Sequence, residues 1–274
     1  MSIDYKLNML KDNIRKLKSA AIAYSGGVDS TFLLKVAHDV LGDKVIAVTA
    51  KSSTYPEREF NEAKQFAEEI GVKHIVIISE ELDIEGFSKN PTNRCYFCKK
   101  ELFTKIREVA KQNNVEKILD GSNLDDTKDY RPGMEAAREL EVVSPLKEAN
   151  LSKGDIRDLS KSMGLRTWNK PSFACLSSRV PYGSEITMNK LKMIEISEQF
   201  LLDLGFHQVR VRHHGDIARI EVSPEEREKF FSIELMDKIA DRLKKLGFKY
   251  VTLDFFGYRT GSMNEVLTNQ QKQL

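Results

Sequence analysis

Three groups of residues combine side-chain type and spacing in ways that can do chemistry. The first is Ser25-Gly26-Gly27-Val28-Asp29-Ser30-Thr31, where two glycines and three hydroxyls surround one carboxylate. Paired glycines let a backbone turn tightly and aim successive N–H groups at one point, and a following helix adds its own N–H groups and dipole. The product is an anion site, with Ser25, Ser30 and Thr31 as further donors. The loop lacks the lysine of a Walker A motif and does not read as G-x-G-x-x-G. Asp29 has two readings: an acid that only caps the helix, or a carboxylate beside phosphate that needs a bridging cation such as Mg²⁺.

The second group is Cys95-Tyr96-Phe97-Cys98 together with Cys175. A structural zinc site wants four ligands, and none of His38, His74, His207, His213 or His214 stands at an adjacent ligand spacing. A redox C-x-x-C pair is a second option, although the surrounding pattern is not thioredoxin-like. A third joins all three thiolates around a [4Fe–4S] cluster, with one iron left open to carry a sulfide. Cys175 by itself also reads as a small buried hydrophobe. The third group is Arg210 and Arg212, two apart on an expected strand and so on one face. Paired guanidinium forks suit a phosphate, but cross-strand pairing with Glu221 or Asp216 would satisfy them equally.

The elements that must position these groups alternate. Strands are expected at Ala20–Tyr24, Lys44–Thr49, His74–Ser79, Lys117–Asp120 and Glu141–Ser144. Helices are expected at Val28–Leu41, from about Pro56 to Ile70, and from Cys98 to Asn113. This order predicts an α/β fold with a parallel sheet covered on both sides, binding ligands beyond the carboxyl ends of its strands. After about Gly164 the rhythm changes to a helix near Met188–Leu204, a hairpin of Phe206–His213 and Asp216–Val222, a helix Pro224–Leu246 and a strand Tyr250–Phe255. The expected organisation is a Rossmann-like domain over residues 1–168 and a smaller α+β domain over 169–274.

With 43 Lys+Arg against 41 Asp+Glu in 274 residues, the net charge of +2 gives no general electrostatic case for nucleic acid. No apolar run approaches the ~18–20 residues that cross a bilayer, and the N-terminus mixes both charges, so a cytoplasmic protein is expected.

On its residues, SGGVDS resembles the PP-loop of the ATP pyrophosphatase (adenine nucleotide α-hydrolase-like) superfamily. The resemblance implies ATP cleaved between its α and β phosphates, pyrophosphate cradled by Ser25, Gly26, Gly27 and Ser30, Mg²⁺ at Asp29, and AMP left on the substrate. Further stretches, Gly121-Ser122-Asn123-Leu124-Asp125-Asp126, Tyr130-Arg131-Pro132-Gly133, Ser144-Pro145-Leu146, Lys170-Pro171-Ser172-Phe173-Ala174-Cys175-Leu176-Ser177-Ser178-Arg179, Val209 to Asp216 and Tyr258-Arg259, resemble the LarE family over nearly the whole chain. That resemblance implies an ATP-dependent sulfur transferase. It adenylates a carboxylate of a pyridinium dicarboxylate mononucleotide and replaces it with sulfur, on the route to the nickel-pincer nucleotide cofactor. Cys175 matches the cysteine that gives up its own sulfur in single-cysteine members, whereas Cys95, Cys98 and Cys175 together resemble a cluster-containing branch. Ser178, Arg179, Arg210 and Arg212 are implied at the substrate phosphate, with Arg259 a weaker candidate; Glu198 is implied as an active-site carboxylate and Ser52 as an AMP contact. Homo-oligomers and a sulfide or other sulfur donor are also implied. Competing readings are a tRNA-thiolating enzyme of the same superfamily, an ammonia-using synthetase, and a nucleotide-sensing iron–sulfur protein without chemistry.

Overall fold

The computed structural model of the chain describes residues 1–128, 132–171 and 175–268. Of the stretches singled out above, Tyr130-Arg131 and Ser172-Phe173-Ala174 lie outside the described residues. The chain divides into two units, one of residues 1–80 and 93–173, the other of residues 81–92 and 174–274.

The first unit runs α1 (Ile3–Arg15), β1 (Ala20–Ala23), α2 (Val28–Leu41), β2 (Val45–Lys51), α3 (Glu57–Ile70), β3 (Lys73–Ile78), α4 (Arg94–Gln112), β4 (Lys117–Leu119), α5 (Gly133–Glu139), α6 (Pro145–Glu148) and α7 (Lys153–Ser162). Its four strands pair in parallel in the order β3-β2-β1-β4, the α/β arrangement expected. Strands β1 and β2 are nearly all apolar and buried, as a sheet covered on both faces requires. One core joins Phe32, Leu33 and Val36 of α2 to Leu10 and Ile14 of α1 and to Ile156 and Leu159 of α7. The other face packs Phe103 and Ile106 of α4 against Ala21, Ile46 and Val48. Chain order reverses direction across the sheet between β1 and β4, so the glycine loop after β1 stands at the topological switch point.

Two expectations in this unit need correction. Glu141–Ser144 forms only one bridge, Leu119 to Val143, because Glu141 takes a left-handed conformation and Pro145 starts α6 directly after Ser144. Helix α4 starts at Arg94 rather than Cys98, which puts both Cys95 and Cys98 on its first two turns.

The second unit runs α8 (Met188–Asp203), β5 (Val209–His214), β6 (Ile217–Val222), α9 (Ile233–Lys245) and β7 (Tyr250–Leu253). Strands β5 and β6 form the expected hairpin, and β7 joins β6 in parallel. Phe206, Val209, Val211, Ile220 and Val222 pack with Leu201 of α8 and Ile239 and Leu243 of α9. His214 ends β5 rather than opening the turn, which falls on Gly215-Asp216. Residues 81–92 belong here because the Asn90 amide donates to Val180 O (3.1 Å) and Pro181 O (2.7 Å), and Gly183 N returns a bond to Asn90 O.

The single helix expected over Pro224–Leu246 is instead a 3₁₀ stretch, Pro224–Phe231, followed by α9. Ser232 is extended and caps α9 by accepting from Leu235 N, while Glu226 turns inward to hold the start of the hairpin. Its carboxylate accepts from His207 N (3.1 Å), Ser223 Oγ (3.0 Å) and Lys229 Nζ (2.8 Å). Burial opposes ionisation of Glu226, but these donors outweigh it and pull its carboxyl down to about 2. A carboxyl depressed on folding stabilises above its unfolded pKa, and that stability is lost as pH falls toward the folded value. Glu226→Gln is therefore expected to cost about 2 kcal/mol at neutral pH. In urea unfolding the difference from wild type should shrink between about pH 4.5 and pH 2.

Candidate functional site

In the first unit the sequence Ser25–Thr31 does locally what its composition asks. Gly26 takes φ +63°, and a Cβ there would lie 2.6 Å from Ala63 Cβ on α3, so only glycine fits between the loop and that helix. Gly27 is the N-cap of α2 and has no side chain to cap it, which leaves the first N–H groups of α2 without intrahelical acceptors. Ser30 Oγ accepts from Ser25 N (3.3 Å) and donates to Gly27 O (3.3 Å), bracing the turn. Thr31 is buried, its hydroxyl 3.5 Å from Tyr24 Oη, and contributes to the core rather than to the open side of the loop.

Asp29 is not a simple helix cap. One carboxylate oxygen is paired with Lys153 Nζ, and the other is buried without a hydrogen-bond partner among the described residues. Burial raises the Asp29 pKa, with the Lys153 charge opposing it. Lys153 escaped the sequence analysis. It is the first residue of α7, held there by the Ser152/Asp155 capping box and by Asp125, whose carboxylate accepts from Lys153 N (2.9 Å). The Gly121–Asp126 stretch thus builds the support for a cation at the loop. The only sequence signal was the capping box, which marks a helix start and does not reveal what its first side chain reaches. Ser52 follows β2 directly and bonds Thr54 Oγ1 at 3.1 Å.

At the start of α4, Cys95 is exposed and Cys98 partly exposed, and neither is in a disulfide. A Cβ on Gly133 would meet Lys99 Cγ at 2.8 Å and Cys95 O at 3.3 Å, so glycine lets α5 begin against this turn. Tyr96 has its hydroxyl on Glu139 (3.0 Å) and Lys100 (2.8 Å), which ties it to α5. Among the described residues, no three or more His, Cys, Asp or Glu side chains come together as a metal site.

The second unit holds most of the residues named for the substrate phosphate. Arg179 is 0% exposed and makes two 2.8 Å bonds to the Glu198 carboxylate. Its Nη1 also donates to Cys175 O (3.1 Å) and Ser178 Oγ (2.9 Å), closing a 3₁₀ turn, Leu176–Arg179, on which Cys175 is the exposed first cap. Glu198 lies on α8 and also accepts from Val211 N (2.9 Å) of the edge strand β5. Burial would raise Glu198, but Arg179 overrides it and holds the carboxyl below its ordinary range. Arg212 forks onto Glu221 of β6 at 3.0 and 2.7 Å and donates to Ser178 O (2.8 Å) and Ser262 Oγ (3.1 Å). The cross-strand pairing that competed with phosphate binding is therefore present at Glu221, whereas Asp216 pairs with Lys249.

Arg210 differs. It is buried over the Tyr258 ring at 5.0 Å, with Nη1 on its neighbour's carbonyl, Val209 O, at 2.6 Å. Burial, with the Arg179 charge next, pushes it down to about 10. Among the described residues the buried guanidiniums of Arg179, Arg210 and Arg212 stand with the buried carboxylates of Glu198 and Glu221. Guanidinium forks of this kind are chemically suited to an anion. Arg259 stands outside it, partly exposed and bonded to Glu265 at 3.3 Å.

Removing one partner of a buried ion pair strands the other. Glu198→Ala is accordingly expected to lower unfolding free energy by about 3–5 kcal/mol. Arg259→Ala, which removes a surface pair, should cost less than about 1 kcal/mol in the same urea titration.

Comparison with known proteins fits both halves of this description. The NAD synthase family model matches residues 2–118. An uncharacterized protein of Synechocystis, slr1717, is 43% identical over 266 residues, covering 97% of this chain and 99% of its own. The pyridinium-3,5-bisthiocarboxylic acid mononucleotide synthase of Lactiplantibacillus plantarum is 40% identical over 259 residues, covering 94% of this chain and 93% of its own. An uncharacterized protein of Methanocaldococcus jannaschii, MJ0830, is 31% identical over 258 residues, covering 93% and 98%. Similarity of this extent shows that the chain is an enzyme of the LarE-type family, the family of that mononucleotide synthase.

Proposed function

We infer that this enzyme uses ATP to adenylate a carboxylate of pyridinium-3,5-biscarboxylate mononucleotide and exchanges it for sulfur, in nickel-pincer nucleotide cofactor biosynthesis. Nucleotide chemistry is assigned to residues 1–168 and substrate binding to residues 169–274. The observation that carries the reading is the gathering of the buried Arg179, Arg210 and Arg212 guanidiniums, with Arg179 bonded to the backbone of an exposed cysteine. A phosphate-bearing substrate suits those guanidiniums and leaves its remaining groups to the cysteine side.

The chemistry follows from the weakness of a carboxylate as an electrophile. A carboxylate oxygen attacks the α-phosphorus of ATP, the bond to the β-phosphate breaks and pyrophosphate leaves. A sulfur nucleophile then attacks the acyl carbon, and AMP departs with the original carboxylate oxygen, leaving a thiocarboxylate. The Ser25–Thr31 loop, with Ser52, is assigned to ATP. Asp29 is assigned to Mg²⁺, a role that its unpartnered buried oxygen suits. Lys153 then releases Asp29 to that cation. Ser178, Arg179, Arg210 and Arg212 are assigned to the substrate phosphate, with Arg259 at its margin. Glu198 acts by holding Arg179 and the edge of β5 rather than as a free base.

For the sulfur, the accessible side chains of Cys95, Cys98 and Cys175 suit soft-metal ligation, and two of them stand in the first two turns of α4. A [4Fe–4S] cluster held by these three, when bound, supplies an iron able to carry the sulfide that is transferred. A second reading rests on the exposure of Cys175 and its pinned backbone, which suit it to surrender its own sulfur.

One preparation tests the reading. Protein purified without air should contain about four iron and four acid-labile sulfide per chain, lost in Cys95→Ala. It should release pyrophosphate from ATP only when the dicarboxylate mononucleotide is added, and Asp29→Asn should slow that release by about 100-fold or more. Iron-free protein that forms product while Cys175 loses a sulfur would replace the cluster with the sacrificial cysteine. Release stimulated by RNA, or no release with any acid, would overturn the substrate assignment.

A further inference from the structure

We propose that Tyr55 and Lys170 are positioning residues that orient the phosphate loop by pinning its carbonyls from behind. The inference rests on the nucleotide reading of Ser25–Thr31 and deepens it. A loop can present its N–H groups to an anion only if its carbonyl oxygens, which would repel that anion, turn the other way and find donors there. Each of the three carbonyls in question has a donor. Tyr55 Oη donates to Ser25 O (2.8 Å), the shorter of its two contacts, with Glu59 O on α3 at 3.1 Å; Lys170 Nζ donates to Gly26 O (3.3 Å) and Ser30 Oγ to Gly27 O (3.3 Å).

Both outer donors are built rather than incidental. Lys170 is buried, and its remaining two N–H bonds go to Glu59 (2.8 Å) and Glu62 (2.7 Å) of α3, so all three donors of the ammonium are used. Glu59 is itself 3% exposed, and a buried carboxylate needs this counter-charge. The same face of α3 carries Ala63, against which Gly26 packs too closely for any side chain. Helix α3 therefore sets the position of the loop through Ala63 and its orientation through Lys170. Burial pushes the Tyr55 phenol well above its ordinary value, so it stays protonated and remains a donor at working pH. Neither residue needs to touch the nucleotide for this role.

The test separates orientation from stability by comparing ligands that share the adenosine half. Tyr55→Phe removes only the hydroxyl. Lys170→Met is combined with Glu59→Gln and Glu62→Gln, so that no buried carboxylate is stranded, and Lys170→Arg serves as the charge-keeping control. Binding of a non-hydrolysable ATP analogue and of adenosine is measured by calorimetry, alongside thermal unfolding. The expected result is roughly tenfold weaker binding of the ATP analogue to Tyr55→Phe and to the triple variant. Adenosine affinity should stay unchanged, and Lys170→Arg should recover part of the loss. Equal loss for both ligands in step with a fall in unfolding temperature, or wild-type ATP binding by Tyr55→Phe, overturns the inference. Wild-type protein that binds no ATP analogue overturns the nucleotide reading beneath it as well.

Discussion

A backbone that shows its amides to one point must hide its carbonyls, and much of the first unit meets that constraint. The glycine pair after β1 supplies the turn, but glycine alone is permissive and specifies no direction. Direction comes from α3, whose Ala63 leaves no room for a side chain at Gly26 and whose two glutamates hold the lysine that bonds Gly26 O. The sheet places this assembly at the switch point between β1 and β4, and α7 delivers Lys153 to Asp29 from the far end of the unit. Conformational freedom in the loop is thus cancelled by contacts from elements distant in sequence.

The second unit solves a different electrostatic problem. Burying Arg179, Arg210 and Arg212 is costly unless each finds counter-charge or carbonyl oxygen. Glu198 and Glu221 neutralise two of them through forked, two-bond geometry. Arg210 lies over the Tyr258 ring, and burial pushes its guanidinium down to about 10. Guanidiniums held in place by forked carboxylates are preorganised, which lowers the cost of binding an anion. The same carboxylate, Glu198, also covers the Val211 N–H at the edge of β5, so the strand edge and the buried Arg179 are held by one group.

Much of the frame was legible because local signals agreed. Helix α2 begins and ends where its periodicity and glycines place it, and β1, β2 and β3 fall within two residues of their expected bounds. The errors came where a local pattern met a tertiary demand. One helix was expected from Pro224 to Leu246, yet Glu226 turns inward to His207 on a 3₁₀ stretch, and α9 starts afresh after Ser232. Glu141–Ser144 had strand composition, but its ends were taken by a left-handed residue and a proline-started helix. Arg210 and Arg212 could be named from their spacing, although only the structure shows that Arg212 is forked onto Glu221. Lys170 could be named only as the start of a motif stretch, with no role attached, and Lys153 and Tyr55 were not legible at all. Single residues of common type, their partners lie 144, 124 and 30 positions away along the chain.

Adenylation activates a carboxylate by transfer of AMP, and the fate of one oxygen atom reports that step directly. Mononucleotide substrate carrying a heavy oxygen isotope in its carboxylates, turned over with unlabelled ATP, should yield AMP bearing one labelled oxygen for each sulfur introduced. Thiocarboxylate formed with unlabelled AMP, or label recovered in phosphate beside ADP, would contradict adenylation and require a different route for the sulfur.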